Sequence, residues 1–376
     1  MKIVIASDSF KGSLSSHEVA QAAMRGVKQV YPACEIVAVN VADGGEGTVE
    51  AVVEALGGEI VTITVSDPLG CPVSACYGLA GNTAIIEMAA ASGLTLLTAE
   101  ERNPWLTSTY GTGEMILDAI RRGCREFFVG IGGSATNDAG TGMLQALGFR
   151  FYDVDEHEIT NCCGGKLQDI ARIDDSEVTA AARQSRFIVA CDVDTPFCGY
   201  EGAAYVFAPQ KGADAEMVAR LDTGMLSFAN VIKQTYGVDV VSIAGAGAAG
   251  GMGGGFRAIL NATLKRGIDM VLDAIGFDNI IIGADLIITG EGRVDSQTIK
   301  GKVPSGILWR AKAQGIPVVA IGGSVEECES VEQMGFAGVY SILEEEVPLD
   351  VAMQPDFAAA NIEKTVKKII SLQRGS

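Results

Sequence analysis

Histidine is nearly missing from this chain: 376 residues contain 2, His17 and His157. Neither belongs to a cluster of zinc ligands, which argues against a zinc centre. It also leaves carboxylates as the side chains for general-base work near neutral pH. Basic residues are scarce too, 28 Lys+Arg against 47 Asp+Glu, for a net charge of −19. Nucleic acid and anionic membrane both need Lys/Arg surfaces, so both are excluded as partners. Small anions are not, because backbone N–H groups and a few local cations can hold a phosphate. No apolar run reaches membrane-spanning length, and the start, MKIVIASDSF, lacks the apolar region of a secretory signal. The 9 cysteines are odd in number and form no CxxC pair; Cys162 and Cys163 are adjacent, a poor geometry for an ordinary disulfide. The expectation is a soluble chain of the reducing cytoplasm. No G-x-x-x-x-G-K-[ST] occurs, which excludes an ordinary P-loop enzyme, and HRD and DFG are missing as well.

What the chain has in quantity is glycine, 47 residues, and apolar residues, 48% against 20% charged. That balance belongs to a globular, enzyme-like protein, long enough for two or three domains. The first sixty-odd residues alternate strand and helix: a strand at 3–6, a helix at 16–30 behind a Ser cap, a strand at 36–41, a helix at 47–56 and a strand at 60–65. Such an order implies a mostly parallel sheet with helices on its faces. Asp67-Pro68-Leu69-Gly70 breaks the pattern, and an irregular, Gly-rich middle follows to about Arg266. Alternation returns with strands at 285–289, 318–321 and 339–343 and helices at 299–313 and 357–372. The expected architecture is therefore α/β, with a discontinuous domain of residues 1–68 and 267–376 and an inserted α/β domain of 69–266. The default ligand site is a cleft between them.

Ligands of parallel α/β sheets gather at the carboxyl ends of strands. Those ends carry Ser7-Asp8-Ser9-Phe10-Lys11-Gly12, Asp43-Gly44-Gly45-Glu46-Gly47, Cys191-Asp192-Val193-Asp194 and Thr289-Gly290-Glu291-Gly292-Arg293-Val294-Asp295. Any one of these serves equally as a turn feeding a helix, with Asp43 and Glu46 as caps, and Arg293–Asp295 as a surface ion pair. Their recurrence at successive strand ends favours a shared site. Clustered carboxylates beside Gly-rich loops suit Mg²⁺-assisted phosphoryl transfer, with Asp192 and Asp295 as candidate ligands and Lys11, Arg293 and Lys302 as candidate cations.

Residues 125–153 offer a competing chemistry. Gly130, Gly132 and Ala135 have G-x-G-x-x-A spacing, and Asp153 lies where an acid would meet a ribose hydroxyl, so an NAD(P)-linked oxidoreductase acting on a small hydroxy acid is the alternative. A non-catalytic binding protein for small organic acids is a third reading. Gly245-Ala246-Gly247-Ala248-Ala249-Gly250 repeats the glycine spacing, but a helical-looking 256–264 follows it instead of a strand ending in an acid.

Taken together, IASDSFKGSLS, VADGGEGTVEA, GIGGSATNDAGTGMLQALG, ACDVDTPFCG, AGAGAAGGMGGGF and TGEGRVDSQTIKGKVP resemble, in order, the motifs of the bacterial glycerate kinase family. The resemblance spans residue 2 to about 304. It departs at Ser7, where the family often has Pro, at the Cys162-Cys163 pair and at Lys300, none of which removes a candidate acid or cation. It implies two α/β domains, one flavodoxin-like and built from both chain ends. It also implies MgATP as phosphoryl donor, D-glycerate as acceptor and 2-phosphoglycerate as product. Carried onto this sequence, Asp192 and Asp295 become the metal or base carboxylates. Ser9, Lys11, Glu291, Arg293 and Lys302 line the anion site, Gly132, Gly133, Ser134, Thr136 and Asn137 form a polar cradle, and Asp43 and Glu46 line the cleft. The sequence carries no signal for subunit number.

Overall fold

The computed structural model describes residues 1–45, 47–296, 298, 301–326, 331, 333–345 and 347–373. Its strands in chain order begin with β1 (Lys2–Ser7), β2 (Glu35–Asn40), β3 (Glu59–Ser66), β4 (Pro72–Ala80), β5 (Thr83–Glu87) and β6 (Glu126–Gly130). Then come β7 (Arg150–Tyr152), β8 (Arg172–Asp174), β9 (Arg186–Ala190) and β10 (Thr263–Lys265). The last are β11 (Leu286–Val294), β12 (Val318–Val325) and β13 (Gly338–Ser341). The chain divides into two compact units, one of Met1–Asp43 with Gly267–Ser376, the other of Gly44–Arg266.

The first unit holds a five-stranded sheet in the order β2-β1-β11-β12-β13, every pair parallel. Numbered within the unit this is 2-1-3-4-5, the doubly wound order of flavodoxin-like sheets. The strands are near-continuous apolar runs because both faces are covered: Ile3, Ile5, Leu286, Ile288, Val319 and Ile321 are buried on one face, and Val4, Ile287, Val318 and Ala320 on the other. On one face lie the helices Ser16–Val30 and Pro355–Gln373. Ser15 caps the former, and its hydroxyl and the Glu18 carboxylate each accept the other's backbone N–H, satisfying two orphan donors. Gly26 sits where the two helices touch; a Cβ there would fall 2.5 Å from the Glu363 carbonyl oxygen.

The second unit is built on a six-stranded sheet, β10-β9-β6-β5-β4-β3. β10, β9, β6 and β5 run parallel, while β4 and β3 add an antiparallel edge. Phe127 and Phe187 stack at 4.9 Å between ring centroids in its core, with Phe256 beside them. The helix Ala215–Tyr236 is capped by Asp214 and closed by Gly237 in the left-handed region.

Several expectations change here. β3 is not a third parallel strand of the first sheet, and residues 44–66 belong to the second unit, so the first boundary falls at 43/44 instead of 68/69. Asp67–Gly70 is a hairpin turn rather than an interdomain break: Asp67 Oδ1 accepts the N–H groups of Leu69 and Cys71, both at 2.8 Å. β11 runs on through Glu291-Gly292-Arg293-Val294, which the sequence suggested as loop. The helix expected at 299–313 is described at Val303–Ala313. Residues 256–264 split between the end of the helix Ala248–Ile259 and β10. His157, expected to stand alone, groups with Asp153 and Asp155, all with ligand atoms within 4.8 Å of one another; Asp155 and His157 are the exposed arms of a turn that the half-buried Asp153 carboxylate organises. The described cysteines are unpaired, and burial pushes the Cys162 thiol far above its usual range. No helix among the described residues is long and apolar enough to cross a membrane.

Candidate active site

In the first unit the site grows from the carboxyl ends of β1 and β11. As β1 ends, the Asp8 N–H donates to the Gly290 carbonyl at 2.9 Å, and the Ser7 hydroxyl donates to the same oxygen at 2.9 Å. Gly290 permits this close approach on its other flank as well: a Cβ there would lie 2.5 Å from the Ile321 carbonyl oxygen. Phe10 and Leu14 then close a tight loop by exchanging backbone hydrogen bonds, their side chains buried. Lys11 is left projecting, with its ammonium 3.8 Å from Asp43 Oδ2.

Because β11 continues as a strand, it sets Glu291 and Arg293 in fixed register against β12, and Asp295 follows directly on its last residue, Val294. Glu291 is 4% exposed. Its Oε1 accepts the Thr298 hydroxyl at 2.5 Å and its Oε2 lies 3.4 Å from the Lys302 ammonium. Burial raises its pKa, against the pull of Thr298 and Lys302. Asp295 Oδ2 pairs with Arg293 Nε at 3.2 Å, and the Asp295 N–H donates to the Thr298 hydroxyl oxygen at 3.0 Å. Asp8, 7% exposed, has its carboxyl pushed up from the ordinary 3.8 to about 6, by burial first and then by the neighbouring charge of Asp43.

These groups face one cavity of about 500 Å³ within the unit. Its polar lining is Asp8, Ser9, Lys11, Asp43, Glu291, Arg293 and Lys302, and its apolar lining includes Ile342, Leu343, Val347, Leu349 and Met353. The volume falls in the range of small-molecule sites and exceeds what a three-carbon acid fills. Six sequence candidates of this unit therefore line one cavity, and Asp295 stands beside it on Arg293. Asp8 lies in the Ser7–Gly12 loop, where nothing in the sequence sets it apart from its neighbours.

The second unit carries its own polar cluster after β6. Gly132 and Gly133 are exposed, whereas Ser134, Thr136 and Asn137 are buried. Lys211, 1% exposed, donates from Nζ to the Ser134 hydroxyl oxygen and the Thr136 carbonyl, both at 2.7 Å. Burial lowers its pKa to about 7, with Asp138 opposing. Asp138 accepts from the Thr109 N–H and hydroxyl and from the N–H groups of Gly140 and Gly142. Burial still raises its pKa, against those donors. Thr136 Oγ1 and Asn137 Oδ1 are buried without a hydrogen-bond partner. Gly250 explains the second glycine run: a Cβ there would lie 2.1 Å from the Thr136 carbonyl oxygen, so the run packs backbone against this loop. Asp192 lies exposed in the loop after β9. Glu46 lies outside the described residues.

Residues 3–374 match the model of the glycerate kinase family. The chain belongs to that family. A "Glycerate kinase" of Bacillus cereus is 48% identical over 99% of this chain and 98% of its own length. A "Glycerate 2-kinase" of Escherichia coli is 46% identical over 97% of this chain and 98% of its own. The crystal structure of a candidate glycerate kinase 2 from Salmonella typhimurium has a TM-score of 0.90 at 44% identity, covering 100% of this chain and 98% of its own. Glycerate kinase family membership makes the chain a kinase, and the oxidoreductase alternative loses its structural footing. β6 has β5 and β9 as neighbours, while β7 pairs with β8 in a separate two-stranded sheet. Residues 125–153 are therefore no βαβ dinucleotide unit, and Asp153 organises a turn.

Proposed function

We propose that the chain transfers the γ-phosphoryl group of ATP to a hydroxyl of D-glycerate, with 2-phosphoglycerate as product and Mg²⁺ as the accompanying metal. The observation that carries this reading is the first-unit cavity, where carboxylates and cations alternate around a space of about 500 Å³. Phosphoryl transfer needs positioning and charge neutralisation more than covalent chemistry, and alternating charges supply both. Lys11 and Arg293, partly exposed at the rim, would take the anionic oxygens of glycerate or of the γ-phosphate. Lys302, beside Glu291, would add a third cation.

The donor set suits magnesium, which binds through one or two carboxylates and otherwise keeps water and phosphate oxygens. Asp295, with hard oxygen atoms and Arg293 beside it, is the carboxylate proposed for the ion; in the second unit, taken by itself, the candidate is Asp192. The ion would supply charge neutralisation at the β- and γ-phosphates. In the second unit, Gly132, Gly133, Ser134, Thr136 and Asn137 form the proposed polar cradle, with buried acceptor oxygens on Thr136 and Asn137 still to be paired.

The test is a coupled assay of ADP release with D-glycerate, ATP and Mg²⁺, with the two phosphoglycerate isomers separated. ADP release that requires both D-glycerate and metal, with 2-phosphoglycerate accumulating, is the expected result. No glycerate-dependent ADP across several divalent metals would overturn the reading, and 3-phosphoglycerate would overturn its regiochemistry.

A further inference from the structure

Four carboxylates line or adjoin the first-unit cavity, and their surroundings differ; Asp43 has the Lys11 ammonium 3.8 Å from its Oδ2. Glu291 is held by a hydroxyl and an ammonium, Asp295 by a guanidinium. Asp8 is held by neither. Its Oδ1 accepts the Ser9 N–H at 2.7 Å and the Ser9 hydroxyl at 3.4 Å, whereas Oδ2 accepts no hydrogen bond and forms no ion pair among the described residues. Its backbone is fixed at the end of a central strand by the bond to Gly290, so the carboxyl stays where β1 puts it.

We propose that Asp8 is the general base of the transfer, accepting on Oδ2 the proton of the glycerate hydroxyl that attacks the γ-phosphorus. The inference rests on the kinase reading above and adds to it the residue that handles the proton.

The charged groups facing Asp8 are Asp43 after β2, Glu291 on β11 and Lys11 from its own loop. The two acids and burial raise its proton affinity, while Lys11 and the Ser9 N–H lower it; the balance, about 6, is close to the pH at which a base must both be ionised and hold a proton. Carboxylates whose environments push their affinities apart take different parts in a reaction. Here Glu291 and Asp295 have their carboxylates engaged by a hydroxyl, an ammonium or a guanidinium, and Asp8, whose Oδ2 has no such partner among the described residues, is the one placed to exchange a proton. In the step itself the hydroxyl O–H bond breaks as its proton passes to Asp8. The alkoxide oxygen forms a bond to the γ-phosphorus, and the bond from that phosphorus to the β–γ bridging oxygen breaks with its electron pair leaving on ADP. The proton then passes from Asp8 to water, so ATP⁴⁻ and glycerate⁻ become ADP³⁻, phosphoglycerate³⁻ and H⁺.

The experiment follows kcat and kcat/KM between pH 5 and 9 for the wild type, Asp8→Asn and Asp43→Asn. The wild type should lose kcat/KM on an acid limb centred near 6. Asp8→Asn should lower kcat by about 10²–10⁴-fold with the KM for ATP little changed, and its residual rate should lack the limb. Asp43→Asn removes one of the acids that raise Asp8, so its limb should move to lower pH. This measurement decides the matter even if Asp8→Asn does not fold. A wild type without glycerate-dependent ADP release overturns the kinase reading itself. An active wild type with Asp8→Asn within about threefold of its kcat, or with a limb unmoved in Asp43→Asn, overturns the assignment of the base while leaving the kinase reading standing.

Discussion

Replacing Asp8 by Asn should make the protein more stable at alkaline pH. Asp8 has its folded-state pKa raised from 3.8 to about 6, chiefly by burial. A carboxyl that holds its proton more tightly when folded contributes stability below 3.8 and loses it progressively as the pH rises through about 6. Above that range the loss is complete, and at 1.36 kcal/mol per pH unit of displacement it comes to roughly 3 kcal/mol at most. Asn keeps an oxygen to accept the Ser9 N–H and never ionises, so the variant escapes the loss. The expected gain at pH 8 is about 1–3 kcal/mol, shrinking towards zero near pH 4. In a unit of this size that is on the order of 2–10 °C in Tm. Urea unfolding or calorimetry of both proteins at pH 8 and pH 4.5 reads it directly. An Asp8→Asn protein less stable than the wild type at pH 8, or a difference that does not change with pH, would refute the reasoning. The combination of lost turnover and gained stability is the usual mark of a group kept for chemistry at the expense of the fold.

Two further outcomes follow from the buried polar clusters. Thr298→Val removes the hydroxyl that bridges the Asp295 N–H and Glu291 Oε1, and should lower first-unit stability by about 1–3 kcal/mol in urea titrations; an unchanged midpoint would mean that solvent replaces the hydroxyl. Lys211, with its folded pKa lowered from 10.5 to about 7, contributes stability above 10.5 that is lost progressively until the pH has fallen through about 7. Thermal melts of Lys211→Met from pH 10 to pH 6 should therefore show the variant gaining on the wild type as the pH falls, and a pH-independent gap would count against the buried ammonium.

Local periodicity made much of this fold legible. The apolar strand at 3–6, the capped helix at 16–30 and the returning alternation after residue 285 all lie where the sequence suggests them, give or take a residue or a few. Partnership was not legible. Residues 60–65 read correctly as a strand, but nothing in Ile60–Val65 says whether it joins β2 or turns back on β4. That choice is made by the Asp67 turn and by eight paired residues of β4 downstream. The candidate acids and cations were legible because glycine brackets them at strand ends. Asp8 was harder to weigh, since its distinction lies in lacking the partners that Glu291 and Asp295 find close by in sequence, and the comparison exists only because the Ser7–Gly290 bond joins residues 283 positions apart. Lys211 sits in an ordinary-looking Pro-Gln-Lys-Gly turn; its burial depends on the Ser134–Thr136 loop closing over its ammonium. His157 did carry a signal, the alternating Asp153-x-Asp155-x-His157 spacing, which brings its ring to the Asp153 carboxylate.

The pairing of β1 with β11 also has a temporal side. Ile3 lies opposite Leu286, with the whole of the second unit encoded between β2 and the strand that completes the first sheet. On a ribosome adding about 5–20 residues per second, β1 and β2 emerge roughly 12–50 s before β11 exists to cover the open edge of β1. The second unit, continuous in the chain, has all its strands in hand by Arg266 and can finish first. A nascent chain of this protein thus carries an uncovered pair of apolar strands at its leading end through most of its synthesis.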